Sequence, residues 1–469
     1  MKSILVGNGI NIQFGGKAYT SNFIIKRIKY KALLGKYDEL FDNIITGKEI
    51  VDIFEGFVNV ANDILEGKYN YYADKELKNA ILDFKSRYTK VNFSHEIMLE
   101  DWFLILHIYL LENKDISFKD AKQGFNQLIL DAIYNESKIQ NIYSNMSKEV
   151  KKFFKSFDNI FTLNYDNNLE KLTKKKVYHL HGDFSVLANG ENTKNVLGYI
   201  REENNNRAIK SGMEHCFCNA LLDYSGYRKM RQADANHLCI LDSEKYKDRY
   251  NFDNDFKEGL LNLKNEQKEL YDAIMTKINH QELKMGTEYY FDEFRNIEDE
   301  LYVIGMSPNN DAHIFECINK NHKLKKIHFY CYSKKEKDFI EKNFNGKLYD
   351  AKYVDKLWKS LKCVNKKYNS EYIFPTNIEQ FIEIFNEFSL DKVSQKEILD
   401  EAKNIPKYEA IRLCKLVKQD LKERNPLNKS TSKHEFETTQ VSISHIALTE
   451  GVSPSTLYML FVIHCNEIN

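Results

Sequence analysis

The chain is poor in proline, with five among 469 residues, and neither sign of charge prevails, Lys+Arg and Asp+Glu each numbering 68. Few prolines leave helices uninterrupted, and long Lys/Glu/Leu/Ile/Asn stretches predict more helix than strand. The charge balance supplies no global field to draw the chain to nucleic acid or to an anionic membrane surface. Long apolar runs are also missing. The longest, Trp102 to Leu111, is broken by His107 and covers about half a membrane span, so it reads as a buried helix. After Met1-Lys2-Ser3 the apolar run is only Ile4-Leu5-Val6, too short for a signal-peptide core. The eight cysteines are scattered and form no even framework, which suits a reducing compartment. A cytoplasmic protein without a membrane span is expected.

The remaining composition, 42% hydrophobic and 13% aromatic, is that of a folded globular chain. No internal repeat is visible at periods between about 20 and 50 residues. Met1 to Asn8 reads as a buried strand and a tight turn, and the pattern is helical from about Tyr19 to Phe157. Strand candidates return at Ile160–Leu163 and Val177–Leu180, with another near Val196–Ile200. A polar, mostly helical insertion or lid spans about 202–299. Strand candidates then resume at Leu301–Gly305, Lys326–Cys331 and Lys347–Val354, with helices between. This alternation predicts an α/β fold, a Rossmann-like parallel sheet with helical insertions. We expect residues 1–362 to form that domain and residues 363–469 a C-terminal all-helical domain with a regulatory or oligomerisation role. Within the latter, Ile378 to Lys422 reads as consecutive amphipathic helices.

Three short segments carry chemistry. In Gly7-Asn8-Gly9-Ile10-Asn11 the two glycines permit a sharp strand-to-helix turn that lets backbone N–H groups approach a phosphate. A dehydrogenase fingerprint would place a third glycine where Ile12 stands and an acid about twenty residues on. No Asp or Glu occurs from Met1 through Tyr37, while seven Lys/Arg do, so hydride transfer is disfavoured. Those basic residues suit either a pyrophosphate or a solvated face. The second segment, Asn159-Ile160-Phe161-Thr162-Leu163-Asn164-Tyr165-Asp166, sets an amide and a carboxylate at a strand end. They suit directed hydrogen bonds to a carboxamide or a ribose hydroxyl, or an Asx turn capping the next helix. Fifteen residues after Asp166, His179-Leu180-His181-Gly182 ends another strand candidate and offers His181 as a general base or as a satisfied polar residue. His179 shares the face of His181 if the strand persists that far.

With Ile304-Gly305-Met306-Ser307, these motifs occur in the order of the sirtuin superfamily. The chain resembles its bacterial antiphage branch, the abortive-infection (AbiH-type) and defence-associated groups, over about residues 1–350. The resemblance implies a phosphate and ribose turn at Gly7, Asn8, Gly9 and Asn11. It implies that Asn164 orients the attacking water, that Asp166 binds the carboxamide and that His181 is the catalytic histidine. Gly305 and Ser307 would meet the adenosine half, followed by Asn309, Asn310 and Asp311, which also read as a helix N-cap. The implied activity is hydrolysis of NAD+ to ADP-ribose and nicotinamide, with NAD+ as substrate and no metal, in a defence effector that depletes NAD. Alternatives are a non-catalytic NAD or ADP-ribose-sensing adaptor and an NAD-dependent deacylase. We expect a homo-oligomer, and an activator derived from phage or supplied by a partner protein.

Deacetylases of that superfamily carry a zinc module of two Cys-x-x-Cys pairs. Here the corresponding region holds His215-Cys216-Phe217-Cys218 and His237-Leu238-Cys239, which is not a standard zinc pattern and favours free or buried thiols. The segment Ile446 to Tyr458 has the look of a helix-turn-helix. With no Lys or Arg from Ser453 to His464, it reads as a packing or oligomerisation helix and not as a reader of DNA.

Overall fold

The computed structural model describes residues 1–33, 36–42, 44–92, 94–114, 116–186, 195–196, 198–200, 211–307, 311–344, 348–363, 404–424, 441–443, 445–447, 449–452 and 454–464. By contacts the chain divides into two units, one of residues 1–24 and 57–364 and the other of 25–56 and 365–469.

The first unit is built on a six-stranded sheet. Its strands are β1 (Lys2–Val6), β2 (Asn159–Thr162), β3 (Tyr178–His179), β6 (Asp299–Ile304), β7 (Leu324–Cys331) and β8 (Tyr349–Tyr353), in the spatial order β3-β2-β1-β6-β7-β8. Every pairing is parallel. Counting only these six in chain order gives 3-2-1-4-5-6, the order of doubly wound dinucleotide-binding sheets, so the α/β fold expected from the sequence is present. The central strands are buried on both faces and accordingly lack polar alternation: Ile4, Leu5 and Val6 are each fully buried. Helices on the sheet close a core that includes Phe161, Leu180, Phe294, Leu301, Ile314 and Phe329.

The segment near 196–200 departs from expectation. It forms a separate antiparallel pair, β4 (Asn195–Val196) with β5 (Tyr199–Ile200), whose only link to the polar insertion among these pairings is a bridge from Tyr199 to Lys284. Two residues per strand around Gly198 make a hairpin, where the apolar spacing alone read as one strand of the main sheet. The insertion itself is helical, with Gly226–Ser243, Tyr246–Phe252, Asn254–Glu266 and Lys268–Asn279. Part of it closes a small core of its own at Leu260, Ile274 and Ile278.

In the second unit the C-terminal region is all-helical among the described residues. Helices Lys407–Arg424 and Pro454–His464 pack through Leu413, Cys414, Val417, Leu457 and Leu460. The helices expected between Ile378 and residue 403 lie outside the described residues. Among the described residues no helix is long and apolar enough to cross a membrane.

Candidate functional site

The strand order reverses between β1 and β6, and the chain leaves both strands at their carboxyl ends there, which is where open α/β sheets bind ligands. Glycine packing fixes this point. Gly9 N donates to Gly305 O at 2.9 Å, and a Cβ on Gly7 or Gly9 would lie 2.4 Å from Gly305 O or 2.6 Å from Gly305 Cα. Gly305 itself has φ +71°, a backbone conformation that disfavours any side chain. The glycines thus let the turn after β1 touch the loop after β6, so part of their donor capacity is directed at protein. Asn8 is exposed, and its Nδ2 donates to Tyr19 O at 2.9 Å.

The polar residues converge on the same edge. Thr162 donates its hydroxyl to Val6 O at 3.1 Å and accepts from Asn164 N at 3.0 Å, which turns the chain out of β2. Asn164 is buried, and its side-chain Nδ2 reaches Gly7 O at 3.3 Å. Asp166, also buried, accepts from Asn11 Nδ2 at 2.6 Å and from Asn168 N and Nδ2 at 3.1 and 2.6 Å. It therefore ties the helix Gly9–Gly15 to the start of the helix Asn168–Thr173. Burial lifts its carboxyl above the usual range, and the hydrogen bonds from Asn11 and Asn168 oppose that rise. Asn11 Oδ1 is buried without a hydrogen-bond partner.

The two histidines His179 and His181 part company. β3 ends at His179, so His181 is no longer held in register with it. His179 Nδ1 donates to Asn164 O at 2.8 Å, and its Nε2 meets Glu170 Oε1 at 2.6 Å. Burial opposes its charge, yet the Glu170 carboxylate raises its pKa to about 9, so this ring is a charged clamp. His181 faces His313, with the two Nε2 atoms 3.0 Å apart and the rings stacked at 5.2 Å. Burial, then the charge of Lys229, then His313 hold His181 well below its ordinary value, so the imidazole is neutral. Gly182, at φ +80°, lets the chain run against Asn219, and Leu221 N donates to His181 O at 2.8 Å.

The loop after β6 completes the site. Ser307 gives its backbone N–H to the Asp311 carboxylate, and burial, followed by the charge of Glu100, pushes that carboxyl up to about 7. Residues 309 and 310 lie outside the described residues. Asp311 caps the helix Ala312–Lys320 in position only, with no side-chain cap bond, and His313 in its first turn is buried with Nδ1 unpartnered. Sequence reasoning missed His313, although its position two residues past Asp311 was a signal. It also missed Lys229, for which no local signal exists.

The cysteine region resolves differently. His237 is paired with Glu288 and Asp292 at 2.7 and 2.9 Å. His215 Nε2 meets Asp131 Oδ1 at 2.8 Å, Tyr134 stacks on its ring, and Cys216 donates to Gln127 O at 3.4 Å. Asp131, His215 and Cys216 are buried with donor atoms within 4.8 Å of one another, a set with the composition of a metal or catalytic cluster. Asp131 is the partner the Cys/His spacing did not reveal.

No family model, no curated protein and no solved structure matches the chain. What fold and site define is a class: a Rossmann-like parallel sheet, consistent with nucleotide binding in general, with a polar cluster at its switch point.

Proposed function

We propose that the chain is an NAD+ hydrolase of sirtuin type. The observation that carries this reading is that the buried, neutral His181 and the buried Asn164 follow the neighbouring parallel strands β3 and β2 at the carboxyl edge of the sheet. Cleavage breaks the C1′–N1 bond, and nicotinamide leaves with the electron pair. Water adds to the oxocarbenium-like C1′, and the proton it loses passes to a base, giving ADP-ribose and nicotinamide. A neutral imidazole is available for that proton without first losing its own. Asn164 orients the water and Asp166 receives the carboxamide. The residues fit a nucleotide in one further respect: Asn11 Oδ1 and His313 Nδ1 are buried acceptors or donors with nothing yet to bind. In a cell the reading makes the chain an antiphage effector that depletes NAD, held in check until an activator from phage or a partner protein arrives and assembled as a homo-oligomer.

The test is to incubate purified protein with NAD+ and quantify nicotinamide and ADP-ribose for wild type, Asn164→Ala and His181→Ala. Turnover lost in both variants supports the reading, and turnover unchanged by either rejects it. One observation favours a second reading, a nucleotide-sensing adaptor: both oxygens of Asp166 are already engaged by Asn11 and Asn168. Tight ADP-ribose binding without turnover would establish that alternative.

A further inference from the structure

The helix Phe118–Tyr134 and the short turn Glu214–Phe217 bring together three side chains of different chemistry. His215 Nε2 meets Asp131 Oδ1 at 2.8 Å, and Cys216 Sγ lies 3.4 Å from Gln127 O. Tyr134 stacks on the His215 ring with centroids 4.1 Å apart, which fixes the plane of the imidazole. All three are buried, and their donor atoms fall within 4.8 Å of one another. Gln127 adds an independent sign. It is 2% exposed, and both its Oε1 and its Nε2 are buried without a hydrogen-bond partner among the described residues. An amide shut away from water with neither end bonded is unfavourable and requires a reason. Gln127 stands one helical turn before Asp131, so the two share a helix face, and the Asp131 side chain leans back over the turn that carries Gln127.

We propose that Asp131, His215 and Cys216 bind a Zn2+ ion, with Gln127 Oε1 at the fourth position. A thiolate and a carboxylate together cancel the two charges of the ion, so the filled site is neutral and suits a buried place. The donors select the metal. Mg2+ and Ca2+ take six or more oxygens, whereas four donors of sulfur, nitrogen and oxygen suit zinc. Neighbouring donors of a tetrahedral zinc stand about 3.3–3.6 Å apart, so the His215–Asp131 separation of 2.8 Å opens by about half an ångström on binding. The Cys216 thiol releases its proton to solvent, and His215 keeps its own on Nδ1, the ring nitrogen not bonded to Asp131. Four protein ligands make the ion structural. Three residues after Cys216, Asn219 accepts from Asp183 N through Oδ1 at 2.8 Å, and Leu221 N donates to His181 O at 2.8 Å. The ion thus ties to the helix Phe118–Tyr134 the segment against which the His181-Gly182-Asp183 backbone rests. The proposal stands whether or not NAD+ is cleaved.

To test this, the full chain is purified with a thiol reductant, stripped of metal and titrated with Zn2+ against a chromophoric chelator, and its melting is followed with and without the ion. One Zn2+ per chain is expected, together with a higher melting temperature. Co2+ in its place should give a thiolate-to-metal charge-transfer band. Cys216→Ser should abolish that band. Cys216→Ser, Asp131→Asn and Gln127→Leu should each weaken Zn2+ binding at least about tenfold, the loss that even outer-shell partners of a metal cause. Gln127→Leu should also melt higher than wild type without metal, since an apolar chain replaces an unpartnered amide. Cys239→Ser, outside the cluster, should bind as wild type does. A wild-type chain that takes up no Zn2+, Co2+ binding without the band, or undiminished Zn2+ affinity in Cys216→Ser, Asp131→Asn or Gln127→Leu overturns the proposal. The wild-type stoichiometry and band decide the matter even where a variant fails to fold.

Discussion

His181 and His313 are 132 positions apart in the chain, yet their Nε2 atoms lie 3.0 Å from each other in a buried setting. One ring donates and the other accepts, so a second proton between them would replace the hydrogen bond by two N–H donors facing each other, one of them on a cation. Burial and then Lys229 hold His313 down at about 3, and His181 is lowered for the same leading reasons. In the unfolded chain both would titrate near 6.5, so there they bind more protons below that value than in the folded state. The stability they contribute is therefore present above 6.5 and is lost as pH falls toward about 3. Asp311, raised to about 7, acts in the opposite sense and offsets part of the loss. Urea midpoints measured at pH 7 and pH 5 should fall further in wild type than in His313→Gln. Equal falls would contradict this account.

His179 and Glu170 predict the alkaline limb. The folded pKa of His179 is raised to about 9, so the pair's contribution is complete below 6.5 and disappears as pH rises through about 9. Glu170→Gln should lower stability by about 1–3 kcal/mol at pH 6.5, the worth of a hydrogen bond to a charged group. Near pH 10 the difference should vanish. Thermal melts of the two proteins across that range decide the matter.

Gly305→Ala meets two penalties, its φ of +71° and the approach of Gly9 to within 3.0 Å of the new Cβ. The backbone term alone costs about 1–2 kcal/mol. Gly198→Ala makes the control, because it has φ +95° but no atom within 4 Å of an added Cβ. Denaturant unfolding should show a larger loss at Gly305 than at Gly198. Parity would mean that the contact between the two turns relaxes freely.

Asp166→Ala strands Asn11 Nδ2 and the amide donors of Asn168 in a buried place. A loss of about 2–4 kcal/mol is expected from several unmade bonds to one carboxylate. In the double variant with Asn11→Ala the two losses should sum to less than their separate values, because the residues share one bond. Strict additivity in urea unfolding would show that they act independently.

The sheet and the edge carrying the site were legible because their signals are local. Ile4-Leu5-Val6 before Gly7 and Ile160-Phe161-Thr162 before Asn164 are short apolar runs closed by turn-forming residues, which buried parallel strands require. Period-two reasoning would set His179 and His181 on one face if the strand persisted, and the strand stops at His179. One ring then found a carboxylate nine residues back, the other an imidazole 132 residues on. Lys229 was illegible for a different reason. Nothing in Gly226-Tyr227-Arg228-Lys229 distinguishes it from a solvated helical lysine. It is a mostly buried residue on the helix whose Gly226 packs against His313, a long-range contact. The Val196–Ile200 hairpin was missed because Gly198 was read inside a strand and not as its turn.

The dispersal of the site along the chain governs when it comes into being during synthesis. A ribosome that has made Gly7, Asn164 and His181 has not yet made the strand that ends at Ile304, nor His313. Prematurely terminated products that stop before Asp299 therefore carry these motifs without the central strand β6, which lies between β1 and β7. For a protein proposed to consume a coenzyme its own host depends on, such incomplete chains lack the strand on which the proposed site is assembled.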